Sequence, residues 1–496
     1  MSRRAVILLY LLLLILILYQ FIFARDEYNS TLLLFTIIGF LIAVIIFLVR
    51  KENFPRIKAH YLRPSTLFLF SYLIVYSQCY VDLLVGNFSE IDSFFVNSSL
   101  INKASLLALG GLIAFFVGYI SYRPIKGLSI ARVDSLEGIC SIRIFKILFV
   151  FTTFIFVYLN GTNYLIGTYS QAYLESKAGT MALYSEILFI IIFMSIITLH
   201  CRNSYIQRIS SLWQYAKQLG LLFHLCLLTY LVLVMISGDR GPIMIIGMSY
   251  FFSYIMAAKK RVLFVHVVVL VIGAAIIFSA LGYARNIDKS ISFVDRFSIA
   301  LQGMATKAEI KRESVFPITS ELSGSAKTLH YAMNYVPEIH PYLYGSIQFR
   351  EVLAMIPFSS YVTNYFLDSD FRYRSSAYFI TWLSQGNFYT YGTGTSVVAD
   401  LYLSFGVLGV LLGLFLFGIL LRKLEIYIFY VSIDEMPSFY LITSIFAYGY
   451  SIYIARASIL SPLNFMIFTV IVVYSYQKMI KRYGKQIKDN TCATPV

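Results

Sequence analysis

Charge is what this chain has least of. Acidic and basic side chains make up 13% of its 496 residues, against about a quarter in an ordinary soluble domain, while 59% are apolar. That balance excludes a water-soluble enzyme and implies an integral membrane protein. Cysteine is also scarce. Cys79, Cys140, Cys201, Cys226 and Cys492 stand far apart, which supports neither a disulfide framework nor a zinc site. The six histidines form no H-x-x-x-H or H-E-x-x-H pattern, and neither a phosphate-gripping P-loop nor a dinucleotide fingerprint is present. No repeat relates the two halves, as it does in many transporters.

What is present is a series of long apolar runs. Crossing the hydrocarbon takes about 20 residues of helix, and the runs predict about twelve spans. They lie near 5–24, 31–49, 66–85, 104–122, 144–160, 182–199, 219–236, 242–258, 262–282, 397–421, 439–455 and 459–476. The expected fold is therefore an all-α polytopic membrane protein. Residues 1–282 hold spans one to nine, 283–396 form one large partly helical loop, and 397–496 hold spans ten to twelve and a tail. Arg3 and Arg4 precede the first run, which is long and lacks a small-x-small cleavage site, so it reads as a signal anchor.

Basic residues orient the chain. Segments 50–65, 121–143, 200–218, 259–261, 422–423 and 478–488 are rich in Lys and Arg and alternate with basic-poor loops at 25–30, 86–103, 161–181, 237–241 and 283–396. The basic set is expected to face the cytoplasm, with both termini there and the large loop outside. The net charge of +15 is then a topogenic, lipid-facing excess that needs no nucleic acid.

The loop is not uniformly polar. Stretches 295–312 and 321–336 read as amphipathic helices, and 345–366 and 375–385 are rich in Ile, Phe, Tyr and Trp382, as interfacial helices are. Thr395 or Ser396 is placed to cap span ten.

The residues able to do chemistry lie at the outer edge. Ser237-Gly238-Asp239-Arg240-Gly241-Pro242 is a sharp polar turn between two apolar runs, with Pro242 at a helix start. A helix N-terminus beside a guanidinium suits phosphate oxygens, so Asp239, Arg240 and Gly241 are expected to help hold an anion; the alternative is a simple Asp239–Arg240 pair. Arg285 and Arg456 lie at other outer helix ends, where an arginine serves equally as an interfacial anchor. His330 and His340 are the outer histidines, and His330 is the candidate general base. Glu321, Glu338 and Asp400 are outer carboxylates, and Asp400, one turn inside span ten, must be paired or face a cavity. Asp368-Ser369-Asp370 fits a D-x-D metal pattern, which arises easily by chance.

With these residues in view, the chain resembles the bacterial O-antigen polymerase (Wzy) family of oligosaccharide repeat-unit polymerases. The turn at 237–242 looks like the S-x-x-R-G turn these polymerases share with O-antigen ligases. The run Gly394-Thr395-Ser396-Val397-Val398-Ala399-Asp400-Leu401-Tyr402-Leu403-Ser404-Phe405-Gly406-Val407-Leu408-Gly409 is similar to the family's G-x-S-x-x-x-E-x-Y-x-x-F-G-x-x-G segment, with Asp400 in place of Glu. An arginine–x10–glycine pattern described for some members is absent from the loops.

The resemblance implies a GT-C-like, metal-independent glycosyltransferase of the inner membrane that needs no cofactor. It would move a growing glycan from undecaprenyl pyrophosphate to the terminal sugar of a new lipid-linked repeat unit, at the periplasmic face. Arg240 and Arg285 would stabilise the departing pyrophosphate. His330 or a loop carboxylate would deprotonate the acceptor, and Asp400 would order helix ends or bind the acceptor. Arg456, Glu321 and Tyr402 would contact substrate. A chain-length regulator is the partner protein such a polymerase implies. Three rivals remain: an O-antigen ligase using the same donor, a flippase or other transporter, and a sensor or scaffold that binds a partner through the loop, which leaves the arginine turn unexplained. A transporter would keep polar groups at mid-membrane between repeats, whereas here they cluster at the edge.

Overall fold

Apolar runs this long leave the backbone little choice, because in lipid every N–H and C=O must be satisfied within the segment. The computed structural model describes residues 2–50, 63–87, 94–123, 141–165, 177–237, 241–258, 293–310, 314–316, 319–356, 370–388 and 392–492, with scattered positions in 265–291. Among them the chain forms helices and 3-10 turns and no strand. Among the described residues nine helices are long and apolar enough to cross a membrane, and ten if one bent pair counts as a span. The chain is a multi-pass membrane protein.

The first group comprises α1 (Arg3–Phe23), α2 (Ser30–Val49), α3 (Pro64–Tyr76), α4 (Gln78–Leu84) and α5 (Ile101–Ser121). Ser2 and Asn29 cap α1 and α2, their side-chain oxygens accepting from Ala5 N and Leu32 N. A second group follows: α6 (Arg143–Leu165), α7 (Lys177–Ile206), α8 (Leu212–Leu219), α9 (Leu221–Ser237) and α10 (Gly241–Ala258). Gly220, at φ +91, bends α8 from α9 by 93°. Most of the expected span at 262–282 lies outside the described residues.

The large loop supplies α11 (Phe293–Ile310), α12 (Lys327–Tyr335), α13 (Ser346–Leu353) and α14 (Ser376–Gln385). Helix was expected at all four places. The expected helix at 321–336 is in fact one turn, Ser320–Ser323, then a 3-10 turn, Gly324–Ala326, then α12. The chain closes with α15 (Val397–Tyr430), α16 (Ser438–Ser451) and α17 (Leu463–Cys492). Helix α16 has 14 residues, fewer than the expected 439–455, because the chain turns off into the 3-10 turn Ile454–Arg456. The connection that carries Arg456 therefore spans 452–462 and is longer than the tight turn the sequence suggested.

Two apolar cores result. One joins α1, α2, α3, α5 and α15, and continues without interruption into the loop through Leu329, Ile347, Phe379 and Ile380. The other joins α6 to α10 with α16 and α17. Helix α5 is the spine of the first core. Its Gly118 faces Gly418's turn of α15 so closely that a Cβ would lie 2.0 Å from Phe415 O, and a Cβ on Gly418 would lie 2.3 Å from Phe115 O. Small residues permit that approach, which replaces the missing hydrophobic drive between helices in lipid.

At one end of α15, Glu425 is fully buried and caps α3, accepting from Ser65 N at 2.8 Å and from the Tyr119 hydroxyl. Arg422 donates to that hydroxyl, Arg3 donates to Ile120 O at 2.6 Å, and Arg50 lies over the Phe47 ring. Basic residues from three separate segments thus gather at this end.

A corner built around a broken helix

Helix α15 is interrupted. Phe405 (φ −143, ψ 23) and Gly406 (φ 61, ψ −145) leave the helical region and separate a short head, 397–404, from a long shaft. Gly406 is needed there because its conformation is one that side chains other than hydrogen rarely tolerate. Gly409 is needed for a second reason: a Cβ there would lie 2.4 Å from Leu401 O. The carbonyls freed by the break are taken up from the loop, by Leu343 N to Leu403 O at 2.8 Å and Tyr344 N to Ser404 O at 3.0 Å.

The start of the head departs from expectation. Ser396 occupies the cap position, but its hydroxyl pairs with Thr328 Oγ1 at 2.7 Å and makes no capping bond. The buried Tyr76 hydroxyl accepts from Val398 N at 3.0 Å instead. A residue more than three hundred positions away does the capping, and no local pattern could announce it.

Asp400 lies on this head with no exposed surface. Gln348 Nε2 donates to its Oδ1 at 3.2 Å, and Ile459 N donates to its Oδ2 at 3.1 Å. Gln348 Oε1 accepts from Ser404 Oγ at 2.7 Å, so one amide ties α13 to the head twice. The Ser458 hydroxyl, beside Ile459, donates to Glu351 Oε2 at 2.7 Å and also approaches Asp400. Burial first, and the Asp400 charge second, push the Glu351 carboxyl up to about 8. Tyr402 donates to Val336 O at 3.1 Å, bracing α12 against the head.

Arg456 enters the same corner. Its Nε donates to Ser325 Oγ at 2.7 Å, in the 3-10 turn just before α12. Gly241, the first residue of α10, packs against Tyr453, and a Cβ there would lie 3.2 Å from the tyrosine hydroxyl. The N-terminus of α10 therefore abuts the connection that bears Arg456, Ser458 and Ile459. Asp400, Tyr402, Gly241 and Arg456 are thus brought to one region. Asp239, Arg240, Arg285 and Asp368 lie outside the described residues, as does the Glu321 side chain.

His330 goes elsewhere. It has no exposed surface, with Nε2 3.1 Å from the Tyr80 hydroxyl and the Phe95 ring edge-on at 5.0 Å. Burial holds its imidazole down to about 3. His340 packs edge-on against Phe379 and Trp382. Glu338 is exposed. Asp370 accepts from Arg372 Nε at 2.7 Å and from Arg372 N at 2.9 Å, and the Arg372 hydrogen bond holds its carboxyl below the usual range.

Glu351, Gln348 and Ser458 escaped the sequence reading. The available signal was Gln348 and Glu351 at i and i+3, polar positions on one face of an otherwise apolar helix. Their relation to Asp400 is tertiary.

A model of the O-antigen polysaccharide polymerase Wzy family matches residues 4–484, nearly the whole chain. No curated protein and no solved structure matches it.

Proposed function

Because the chain belongs to the O-antigen polysaccharide polymerase Wzy family, we propose that it joins undecaprenyl-pyrophosphate-linked repeat units at the periplasmic face of the inner membrane. The family assigns a glycosyltransferase-type polymerase acting on lipid-linked oligosaccharide within the membrane. The finer reading is that the growing glycan leaves its undecaprenyl pyrophosphate carrier and is received by the terminal sugar of a new unit, without a metal.

The observation that carries this reading is the convergence of the α15 head, the α10 N-terminus and the 452–462 connection on one corner, at the opposite end of α15 from Arg422 and Glu425. The shaft from Val407 to Glu425 covers roughly 27 Å at 1.5 Å per residue, close to the thickness of the hydrocarbon. With the basic end in the cytoplasm, the corner meets the outer interface, where a polyprenyl carrier presents its pyrophosphate.

In this reading Arg240, which precedes α10 in the sequence, and Arg285 neutralise the charge that builds on the departing pyrophosphate. Arg456, steadied by Ser325, and Gly241, with its helix N-terminus, bind substrate phosphate. Asp400 fixes the head of α15 to the connection and to α13, which sets where the acceptor rests. Tyr402 and Glu321 contribute to the acceptor's surroundings. His330 is given a packing role: a buried ring held neutral has no path to a sugar hydroxyl. A chain-length regulator remains the partner proposed for the assembled enzyme.

The test is a gel of surface polysaccharide from cells lacking the gene, with and without a restored copy. Lipid A–core capped by a single repeat unit supports the polymerase. Uncapped core with accumulating lipid-linked polymer means ligase instead, and an unchanged ladder rules out both.

A further inference from the structure

Glu351 is the second carboxyl group of the corner, tied to it through Ser458. Helix α13 sends Ile347 into the core and turns Gln348 and Glu351 toward the head of α15. Gln348 is consumed in bridging Ser404 and Asp400. Glu351 binds Ser458 through one oxygen, Oε2. It is also half-buried, whereas Asp400 has no exposed surface. Two carboxyls therefore flank Ser458, one sealed and one at the edge of the corner, two residues from Arg456 in a stretch where Ala457 is extended.

We propose that Glu351 is the general base of the transfer, accepting the proton of the acceptor sugar's hydroxyl, and that Asp400 is the positioning residue behind it. The assignment rests on the polymerase reading. In the step, the hydroxyl proton passes to Glu351 while the acceptor oxygen forms a bond to the donor's anomeric carbon. The bond from that carbon to the pyrophosphate oxygen breaks, and its electron pair leaves with the pyrophosphate. Glu351 returns the proton to water before the next cycle. No oxidant, metal or cofactor is needed to balance it.

The electrostatics suit the task. A base works best when its proton affinity lies near the working pH, and burial together with the Asp400 charge lifts the Glu351 carboxyl to about 8. Among the described residues, charged groups on neighbouring elements are few. The 3-10 turn Phe371–Arg374 brings Asp370, Arg372 and Arg374, of which Asp370 and Arg372 pair with each other. Arg350 lies on α13 itself, Arg456 lies on the connection, and the first turn of α17 carries no charge. Among these it is Asp400 whose charge acts on Glu351. The ionised carboxylate is the active form, so its fraction, and the rate, rise as pH climbs through about 8.

The experiment uses the full-length protein in liposomes with polyprenyl-pyrophosphate-linked repeat units, following glycan transfer against pH. Wild type should show an acid limb. Glu351→Gln should lose on the order of 100-fold or more and Glu351→Asp should keep part of the rate, with protein level and melting temperature recorded for each. Asp400→Asn removes the repelling charge and should move the limb to lower pH. Ser458→Ala removes a donor that favours the carboxylate and should move it to higher pH. These opposite shifts keep the assignment testable even where Glu351→Gln fails to fold. A Glu351→Gln protein that keeps the wild-type rate, or is slower with the acid limb intact, overturns the assignment. A limb unmoved in both Asp400→Asn and Ser458→Ala overturns it as well. Wild-type protein that leaves the units unjoined overturns the polymerase reading and this assignment with it.

Discussion

An arginine proposed to neutralise a leaving pyrophosphate and a histidine that fills a core should fail in different ways when replaced. Arg240→Ala should abolish polymer on a polysaccharide gel while the protein stays in the membrane at its normal level. Arg240→Lys should restore only part of the ladder, because an ammonium cannot reproduce the planar fork of a guanidinium. Wild-type chain length in Arg240→Ala would remove that residue from the mechanism. His330→Ala should instead lower thermal stability by ~3 kcal/mol, as deletion of a large buried ring with loss of a partner for Tyr80 does. The pH dependence of whatever activity survives should not change. A shifted acid limb in His330→Ala would return the ring to the chemistry. Replacing Asp368 and Asp370 together by Ala should leave the polymer ladder intact, since Asp370 is spent on a partly exposed pair with Arg372, worth about 1 kcal/mol or less. A well-expressed but inactive double variant would reopen a metal role for them.

Two glycine-dependent features govern how the elements meet. Gly406 has φ 61 and ψ −145, and a Cβ there would lie 2.7 Å from the Tyr342 hydroxyl. Gly406→Ala should cost ~1–3 kcal/mol in backbone strain, with a further loss from displacing Tyr342. The expected outcome is a lower melting temperature and a shorter polymer, measured on purified protein and on gels; an unchanged melting point would mean that the break is not held by this residue. Gly418 lies where α5 and α15 touch backbone to backbone, so Gly418→Leu should separate the two helices and reduce the amount of folded protein in membranes. The phenylalanine–glycine–x–x–glycine end of the motif was legible as a family likeness, and its physical meaning is this break. The sequence could not reveal the break itself, because an apolar run reads as one continuous span whether or not a glycine in it leaves the helical region.

For the whole molecule, the decisive property is which end of the bundle faces which side. With the corner outside, Phe388→Cys, at a position 92% exposed, should react with a membrane-impermeant maleimide applied to spheroplasts. Arg482→Cys should react only after lysis. Labelling in the reverse order would invert the assignment and place the corner where lipid-linked units are assembled rather than joined.

Composition alone determined that this is a helical, multi-pass membrane protein, because long apolar stretches admit no other way of satisfying the backbone in lipid. Local pattern and composition went further and led to helix being expected within the large loop at 295–312, 321–336, 345–366 and 375–385, where α11, α12, α13 and α14 form, because both are short-range properties. Short motifs named the family. Only the tertiary structure decided that Tyr76 caps the head of α15, that Gln348 joins it to α13, that Asp400 and Glu351 meet across Ser458, and that His330 is sealed in a core. Each of these is a contact between residues tens to hundreds of positions apart, and periodicity carries no information over such separations. The sequence supplies the polar groups, but whether one becomes a base, a brace or packing depends on how much water and which neighbouring charges the fold leaves beside it.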